Sequence, residues 1–264
     1  MVAQSAAAGL DVVAITDHDT TAGWSEAAAG LPPGLTLVPG AEVSCRYVDA
    51  AGRVGVHLLA YLFDPTEPGF RAARQRLREA RVTRARRMVE GLRAAGYDVR
   101  WERVQELAGG TVGRPHVAQA LVELGAVDSI AAAFTAEWIA PDGRYYVGKD
   151  ELDVRDAVAL VRGAGGVPVL AHPRTARARR WLPDPVVAEL AEAGLRGLEI
   201  DHPDHSAGAR AELRALAGRL GLFATGSSDF HGANKPQRLG AETTSPADYE
   251  ALVGKATGSA PVTA

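Results

Sequence analysis

Short apolar segments alternate with longer segments of helical periodicity along most of the chain. The apolar segments carry few charges, which is typical of buried strands in a parallel sheet. Between them, apolar residues recur every three or four positions and glycine or proline often follows, which predicts helices and their ends. The predicted strands span residues 11–16, 35–38, 54–62, 166–171, 195–200, 220–224 and 239–243. This alternation predicts an α/β fold with parallel strands and helical crossovers.

The pattern changes between residues 66 and 149, where strand signals are nearly absent. Predicted helices in this stretch span 70–95, 102–108, 115–124 and 130–138, and the first of them is long and rich in arginine. Helices predicted elsewhere span 1–8, 22–29, 154–163, 185–193, 207–219 and 246–255. We therefore expect an inserted helical subdomain at 66–149 within an α/β domain formed by residues 1–65 and 150–264.

Acidic and imidazole side chains stand just after the predicted strands. They are His18, Glu42, His172, His202, Asp229 and His231, whereas His57 lies inside its apolar run. Because active sites of β/α barrels and open α/β sheets lie at the carboxyl ends of the strands, we expect these side chains to converge. Each one alone has an ordinary explanation as a polar strand end, a helix cap or a turn residue. Imidazole mixed with carboxylate suits Zn, Mn or Fe, so the joint pattern predicts a metal site.

Composition narrows the class of protein. The 264 residues are 47% apolar and 23% charged, as in an ordinary globular protein, and a net charge of −3 gives no basis for binding duplex DNA. Cys45 is the only cysteine, which excludes an internal disulfide. No apolar run reaches membrane-span length and no signal peptide is recognisable, so we expect a cytoplasmic location and no membrane partner. The sequence indicates no partner protein.

Five short motifs follow one another in a characteristic order. They are Thr16-Asp17-His18, Gly40-Ala41-Glu42, His57-Leu58-Leu59-Ala60-Tyr61, Ala171-His172-Pro173 and Gly226-Ser227-Ser228-Asp229-Phe230-His231-Gly232. Their order and spacing resemble the PHP (polymerase and histidinol phosphatase) superfamily over essentially the whole chain. The segment Val112-Gly113-Arg114-Pro115-His116-Val117-Ala118 resembles the subgroup of nucleoside 3′,5′-bisphosphate phosphatases and related 5′-to-3′ exoribonucleases.

The resemblance implies a fold and an activity. The fold would be a distorted (β/α)7 TIM-like barrel with a helical insertion over the site. The activity would be hydrolysis of phosphate monoesters of nucleotides, of the 3′,5′-bisphosphate type, or of short 5′-phosphorylated RNA. Up to three divalent ions would take part, with Mn expected and Zn or Fe as alternatives.

The same resemblance implies a role for each motif residue. Glu42, His57 and His172 would hold one ion, His18 and His231 a second, and Asp229 with Glu42 a third. Substrate phosphate would contact Arg114 and His116, and Arg174, Ser228 and Lys149 are further candidates. Asp229 is also a catalytic candidate, and His231 or His202 would carry a proton to the leaving group.

The resemblance is incomplete at the N-terminal end. The family begins with a strand ending in His-x-His, followed by an Asp, and no histidine precedes His18. We therefore expect the first strand and three metal ligands to be missing, because the start is misassigned or because the chain is a degenerate homologue. On this basis only the first metal site is complete, and the chain is expected to be unstable or poorly active. The alternative hypotheses are a non-catalytic nucleotide-binding or regulatory module and, within the enzyme class, a histidinol phosphatase.

Two arginine clusters have both a structural and a functional interpretation. The first comprises Arg71, Arg74, Arg76, Arg78, Arg81, Arg84, Arg86 and Arg87 in the long predicted helix. It is either a solvated helix face or an electrostatic guide for a polyanionic substrate. The second, Arg174, Arg177, Arg179 and Arg180, follows His172 and is the better phosphate candidate. Trp101, Trp138, Tyr145 and Tyr146 either pack in a core or stack a base.

Overall fold

The computed structural model describes residues 1–148, 150–176, 180–232 and 237–264. Lys149, Arg177 and Arg179, which were predicted to contact phosphate, lie outside the described residues. The chain divides into two compact units. A sheet unit comprises Met1–Arg74 and Leu152–Ala264, and a helical unit comprises Gln75–Glu151. The boundaries predicted at 65 and 150, and the capping of the site, remain predictions.

The sheet unit is built on a curled, half-barrel sheet, which confirms the predicted α/β class. Its strands are β1 Val12–Ile15, β2 Thr36–Asp49, β3 Gly52–Tyr61, β4 Leu152–Asp153, β5 Val167–Leu170, β6 Gly197–Asp201, β7 Phe223–Gly226 and β8 Val262–Thr263. The strand order is β1-β2-β3-β5-β6-β7, and both β4 and β8 pair with β2. Every residue of β5 is buried, as expected of a strand covered on both faces.

The expectation of uniformly parallel strands is wrong for β3. This strand runs antiparallel to both β2 and β5, whereas β1–β2, β5–β6 and β6–β7 are parallel pairs. The physical reason is a hairpin. β2 continues to Asp49, and a two-residue turn leads into Gly52, whose φ of 113° suits glycine. The hairpin returns the chain beside β2 without a helical crossover.

The prediction of a strand at 239–243 is also wrong. These residues form turns and bends, and the late strand is β8 at the end of the chain. β8 pairs with the first residues of β2, Thr36 and Leu37. No strand was predicted at β8, because a strand of two residues is too short to show a periodic pattern.

Six helices belong to the described part of the sheet unit, and three of them begin at a side-chain cap. They are α1 Val2–Ala7, α2 Trp24–Ala29, α7 Val154–Gly163, α8 Asp184–Ala193, α9 Ala207–Leu220 and α10 Pro246–Val253. Asp153, Ser206 and Ser245 accept backbone N–H bonds at the starts of α7, α9 and α10. In the described residues, no helix combines the length and apolarity needed to cross a bilayer.

The helical unit has its own apolar core. α3 Pro68–Ala94 begins in the sheet unit and continues into the helical unit, which also contains α4 Trp101–Ala108, α5 Arg114–Glu123 and α6 Ile130–Ala133. Core residues include Leu92, Val104, Leu121 and Ile139. Trp138 is buried in this core, and Tyr145 packs against it, which supports the packing interpretation of these two aromatic residues.

Candidate metal centre

Four predicted ligands lie side by side at one edge of the sheet. Glu42 lies in β2, His18 follows β1, and an isolated parallel bridge pairs the two residues. His57 lies in β3, and its carbonyl accepts a hydrogen bond from Ala171, the residue before His172. Glu42 was expected just after a strand but lies inside β2, because β2 continues to Asp49. His57 pairs with Ser44 of β2 and is level with the end of β5, which places it beside Glu42 and His172. This accounts for the position of His57 inside its apolar run.

Glu42 is the centre of the cluster. Its Oε1 lies 2.7 Å from His57 Nδ1 and 3.1 Å from His172 Nε2. Those two ring nitrogens are 3.4 Å apart. Its Oε2 faces His18 Nδ1 at 3.5 Å. Oε1 of Glu42 therefore contacts His57 and His172, whereas Oε2 faces His18.

These spacings fit a divalent ion. Ligand atoms placed 2.0–2.2 Å from one ion are separated from each other by roughly 3 Å. One ligand atom from each of His18, Glu42 and His57 lies within 4.8 Å of the others. The donor set is imidazole nitrogen and carboxylate oxygen, which suits Mn, Fe or Zn. A carboxylate with a different partner on each oxygen also suits a ligand that bridges two ions.

The electrostatics favour positive charge beside Glu42. Burial alone would raise the pKa of Glu42, but the charges of His18 and His57, with hydrogen bonds from His172 and His57, hold this pKa well below its usual value. Burial alone would lower the pKa of His172, yet the hydrogen bond to Glu42 and the charges of Glu42, Glu199 and Asp229 raise it to about 9. The centre thus stabilises a cation where a metal ion would bind.

Glu199 is a site residue that the sequence analysis missed. It lies in β6, is 2% exposed, and its Oε2 accepts a hydrogen bond of 2.8 Å from the backbone N–H of His172. His172 has a φ of 30°, a conformation that non-glycine residues rarely adopt. Burial raises the pKa of the Glu199 carboxyl. A carboxylate inside an apolar strand was the available signal, because buried acids are rare without a partner.

Asp19 is a second missed residue. It is fully buried and has a φ of 59°. Its carboxylate accepts bonds of 2.8 Å and 2.9 Å from the backbone N–H and the hydroxyl of Ser44, and its own N–H donates to the Glu42 carbonyl. Asp19 therefore fastens the loop that carries His18 to the strand that carries Glu42.

Asp229 and His231 form a separate group after β7. His231 Nδ1 lies 2.8 Å from the carbonyl oxygen of Asp229 and 3.4 Å from Asp229 Oδ1. If Nδ1 donates to that carbonyl, Nε2 is left as the ligand atom. Sharing of one ion by His18 and His231 stays a prediction.

His202 lies between the two groups. Its ring centroid is 5.3 Å from that of His172, and its Nε2 is 3.6 Å from Asp229 Oδ2. The backbone N–H of Asp204 donates to His202 Nδ1, so the neutral ring carries its proton on Nε2. The side chain is 2% exposed. The Nε2–H of His202 therefore faces the Asp229 carboxylate at 3.6 Å, beyond hydrogen-bond distance.

The predicted phosphate contacts fall in both units. Arg114 and His116 start α5 in the helical unit, and Gly113 N–H donates to His116 Nδ1. Ser228 is buried in the sheet unit, where its hydroxyl accepts a bond from Gly240. Arg174 donates to the Leu182 carbonyl and to Asp184, so a phosphate would compete with an existing ion pair.

A half-barrel α/β sheet with clustered imidazoles and carboxylates at its strand ends defines a metal-dependent hydrolase. The chain is 34% identical over 238 residues to the 3′,5′-nucleoside bisphosphate phosphatase of Chromobacterium violaceum, covering 88% of this chain and 80% of that protein. The chain belongs to the PHP superfamily of metal-dependent phosphoesterases. The predicted family and the predicted class, phosphoric ester hydrolase, are thereby confirmed.

Other comparisons agree. A 5′-3′ exoribonuclease of Haemophilus influenzae is 31% identical over 233 residues, covering 88% of this chain and 83% of that enzyme. A crystal structure from Bifidobacterium adolescentis, assigned as a metal-dependent phosphoesterase, superposes with a TM-score of 0.85 and 36% identity. It covers 97% of this chain and 90% of that protein. No protein-family model matches the sequence.

Proposed function

We propose that this chain hydrolyses phosphate monoesters of nucleotides, of the 3′,5′-bisphosphate type, or of short 5′-phosphorylated RNA, with divalent metal ions as cofactors. The observation that carries the proposal is Glu42, whose two oxygens face the imidazoles of His18, His57 and His172. The relatives from Chromobacterium violaceum and Haemophilus influenzae, named as a bisphosphate phosphatase and an exoribonuclease, supply the substrate class.

The metal ligands follow from the geometry of the carboxylate. Glu42 Oε1 with His57 and His172 would hold one ion, and Oε2 with His18 would hold a second. Asp229 and His231 complete the proposed ligand set. When bound, such ions make a nucleophilic water accessible near neutral pH and offset the charge of the transferring phosphoryl group. We propose Mn²⁺ as the ion, and the same donors also suit Zn²⁺ or Fe²⁺.

His202 is proposed as the general acid that protonates the leaving group. His202 holds its proton on Nε2, because Nδ1 accepts the Asp204 N–H, and can donate it to the leaving oxygen. The Asp204 N–H orients the ring, and Asp229 Oδ2 lies 3.6 Å from Nε2. Because the Nε2 of His231 is assigned to metal binding, His202 is the better general acid of the two predicted candidates.

Phosphate binding is assigned first to α5. With Nδ1 of His116 accepting from Gly113, its Nε2 carries the proton and is available to a phosphate oxygen. Arg114 precedes it by two residues, at the first position of the helix. Ser228, Arg174 and Lys149 remain proposed contacts of the same kind.

The experiment is a substrate panel. Phosphate release is measured from adenosine 3′,5′-bisphosphate and nucleotide release from a 5′-phosphorylated oligoribonucleotide, with Mn²⁺ and with EDTA. Histidinol phosphate is the comparison substrate. Mn²⁺-dependent turnover of either nucleotide substrate, lost in Glu42→Gln, supports the proposal.

Two outcomes oppose the proposal. Well-folded, Mn²⁺-loaded protein that turns over neither nucleotide substrate would contradict it. Faster turnover of histidinol phosphate than of both nucleotides would move the assignment to the other branch of the superfamily. A metal titration by calorimetry separates a chain that lacks metal from a loaded chain with a different substrate.

A further inference from the structure

A third histidine is buried beside the proposed general acid. His205 is 5% exposed and lies in the turn after β6. Its ring centroid is 5.4 Å from that of His202, whose centroid is in turn 5.3 Å from that of His172. The three imidazoles therefore form a continuous row of ring contacts. Neither the proposed ligand set nor the proposed proton transfer uses His205.

Both ring nitrogens of His205 are bonded to the backbone. Nδ1 lies 2.9 Å from the Ile200 carbonyl oxygen, and because a carbonyl oxygen only accepts, Nδ1 carries the proton. Nε2 accepts the backbone N–H of Arg174 at 3.2 Å. These two contacts fix the tautomer of the neutral ring. His205 thus joins β6 to the loop after β5.

The loop after β5 is the one that places His172 against Glu42. It reads His172-Pro173-Arg174, and its proline has no N–H. The N–H before the proline donates to Glu199, and the N–H after it donates to His205. Each backbone donor of this turn is therefore bonded to a side chain from β6 or from the turn after it. These bonds offset the cost of the rare φ of 30° at the metal ligand.

The loop after β5 and the turn after β6 are bonded at a second point. The Ala176 N–H reaches a carbonyl of that turn at 3.4 Å, which is longer and weaker than the 3.2 Å contact between Arg174 and His205. The His205 N–H in turn donates to the His202 carbonyl at 3.0 Å. Loss of the Arg174 bond would therefore leave the loop with His172 free to shift against the turn with His202.

We propose that His205 is a positioning residue that fixes the separation between His172, the proposed metal ligand, and His202, the proposed general acid. The inference rests on the proposed function and adds to it a residue that touches neither metal nor substrate. A neutral imidazole suits this task, because its rigid ring holds one donor and one acceptor at a fixed separation. Partners that orient metal ligands in this way are part of a metal centre, although they bind no ion.

Two amide variants separate the two bonds of His205. In His205→Asn, the short side chain can still donate to the Ile200 carbonyl but does not reach the Arg174 N–H. In His205→Gln, the longer side chain can place its oxygen as an acceptor for Arg174. Calorimetry with Mn²⁺ should show an affinity about 10- to 100-fold lower in His205→Asn. Most of that affinity should return in His205→Gln, and equal losses in the two variants would overturn the positioning role.

Kinetics with two leaving groups report on His202. Because His205 does not contact the substrate, kcat for adenosine 3′,5′-bisphosphate at saturating Mn²⁺ should fall about 10-fold or more in His205→Asn, with KM unchanged. p-Nitrophenyl phosphate has a leaving group that needs no protonation, so its turnover should fall less. Equal losses with the two substrates would show that the acid is not displaced, which contradicts the proposed link to His202.

A wild-type measurement and a control variant exclude a merely structural role. In EDTA, imidazole ¹⁵N NMR of the wild type should place the proton of His205 on Nδ1, and a proton on Nε2 would contradict the two bonds. Leu35→Ala is the control, because Leu35 is 2% exposed in an apolar cluster that contains no residue of the loops after β5 and β6. This truncation should cost about 2–5 kcal/mol of stability and leave Mn²⁺ affinity unchanged. If His205→Asn behaves in the same way, His205 is purely structural and the inference is overturned.

Failure of this inference can be told apart from failure of the proposed function. Mn²⁺ affinity that falls in His205→Asn and returns in His205→Gln, without turnover of any nucleotide by the wild type, retains the positioning of His172 and rejects the enzymatic assignment. Turnover of adenosine 3′,5′-bisphosphate that is unchanged in His205→Asn retains the enzyme and rejects the positioning role.

Discussion

At the scale of single residues, two groups position the candidate metal centre. The Glu42 carboxylate contacts three imidazoles, and the His172 backbone N–H donates to Glu199. The sequence predicted the ligands, because acids and imidazoles followed apolar runs. It did not predict Glu199 or Asp19, since the hydrogen bonds of these residues join segments far apart in the chain. Which oxygen of Glu42 faces which ring also depends on tertiary packing alone. The sequence therefore predicted which side chains cluster around Glu42, but not the hydrogen bonds that position them.

Glu199 is expected to hold His172 in its rare backbone conformation. Glu199→Ala leaves the His172 N–H without its acceptor, which should lower the free energy of unfolding by about 1–3 kcal/mol. Mn²⁺ affinity should fall about 10- to 100-fold, as when other supporting partners of metal ligands are removed. Denaturant unfolding in EDTA and Mn²⁺ calorimetry measure the two effects. Glu199→Gln keeps an acceptor oxygen and should retain most of the affinity, and equal losses in both variants would show that charge is what matters.

His116 is expected to make the helical unit sensitive to acid. Burial lowers the pKa of His116 below its usual 6.5, so the unfolded chain binds a proton more readily than the folded chain. The stability that this histidine contributes is fully present above pH 6.5 and is lost as the pH falls through its lowered pKa. Protonation also removes the acceptor for Gly113 N–H. His116→Gln restores a non-titrating acceptor at this helix position.

The measurement for His116 is the urea midpoint of both proteins between pH 5 and 7.5. The wild type should lose stability relative to His116→Gln on acidification. A constant difference across this range would contradict the assignment of a neutral, bonded His116.

At the scale of elements, the alternation of strands and helices was predicted correctly, and the exceptions have local causes. β3 was expected to be parallel because the sequence pattern of a strand does not encode its direction. A strand was expected at 239–243, where the chain forms turns and bends, and the two-residue strand β8 is too short to give a sequence pattern. The sequence also did not predict where the backbones of two segments come into close contact. Gly226 at the end of β7 is one such place.

Gly226→Ala is expected to disturb the loop that carries Asp229 and His231. A Cβ on Gly226 would meet the carbonyl oxygen of Thr243, which is backbone and yields little. We expect a loss of about 1–3 kcal/mol in unfolding free energy, together with weaker metal binding. Gly55→Ala in β3 is the matched control, because nothing lies within 4 Å of its Cβ position. Denaturant unfolding of both variants tests this, and equal stabilities would contradict the close approach.

At the scale of the whole molecule, family, fold class and enzyme class followed from ordered motifs rather than from any single residue. Five weak motifs in one order identified the superfamily, and the comparisons confirm it. The division of the chain into two units corresponds to a division of chemistry. The residues proposed to hold metal lie in the sheet unit, whereas the first-assigned phosphate contacts, Arg114 and His116, lie in the helical unit.

Metal and phosphate should therefore protect different parts of the chain. Mn²⁺ should raise the melting temperature, with a gain of about 2.7 kcal/mol at a free concentration 100 times the dissociation constant. Backbone amide hydrogen exchange should slow around Asp19 and His172 when Mn²⁺ binds. It should slow around Arg114 and His116 when phosphate binds in EDTA. Glu42→Gln should abolish the Mn²⁺ effect and leave the phosphate effect intact. Loss of both effects in that variant would contradict two independent sites.

The short turn between β2 and β3 has a consequence for how this protein tolerates change in length. His57 reaches Glu42 only because Ser44 pairs with His57 across the hairpin, in a register that continues to Asp49 and Gly52. A one-residue deletion in the turn shifts that register and turns the His57 side chain to the opposite face of the sheet. No ligand residue would be substituted, but His57 would no longer reach Glu42. The number of residues in this turn is therefore as much a part of the metal centre as the identity of its histidines.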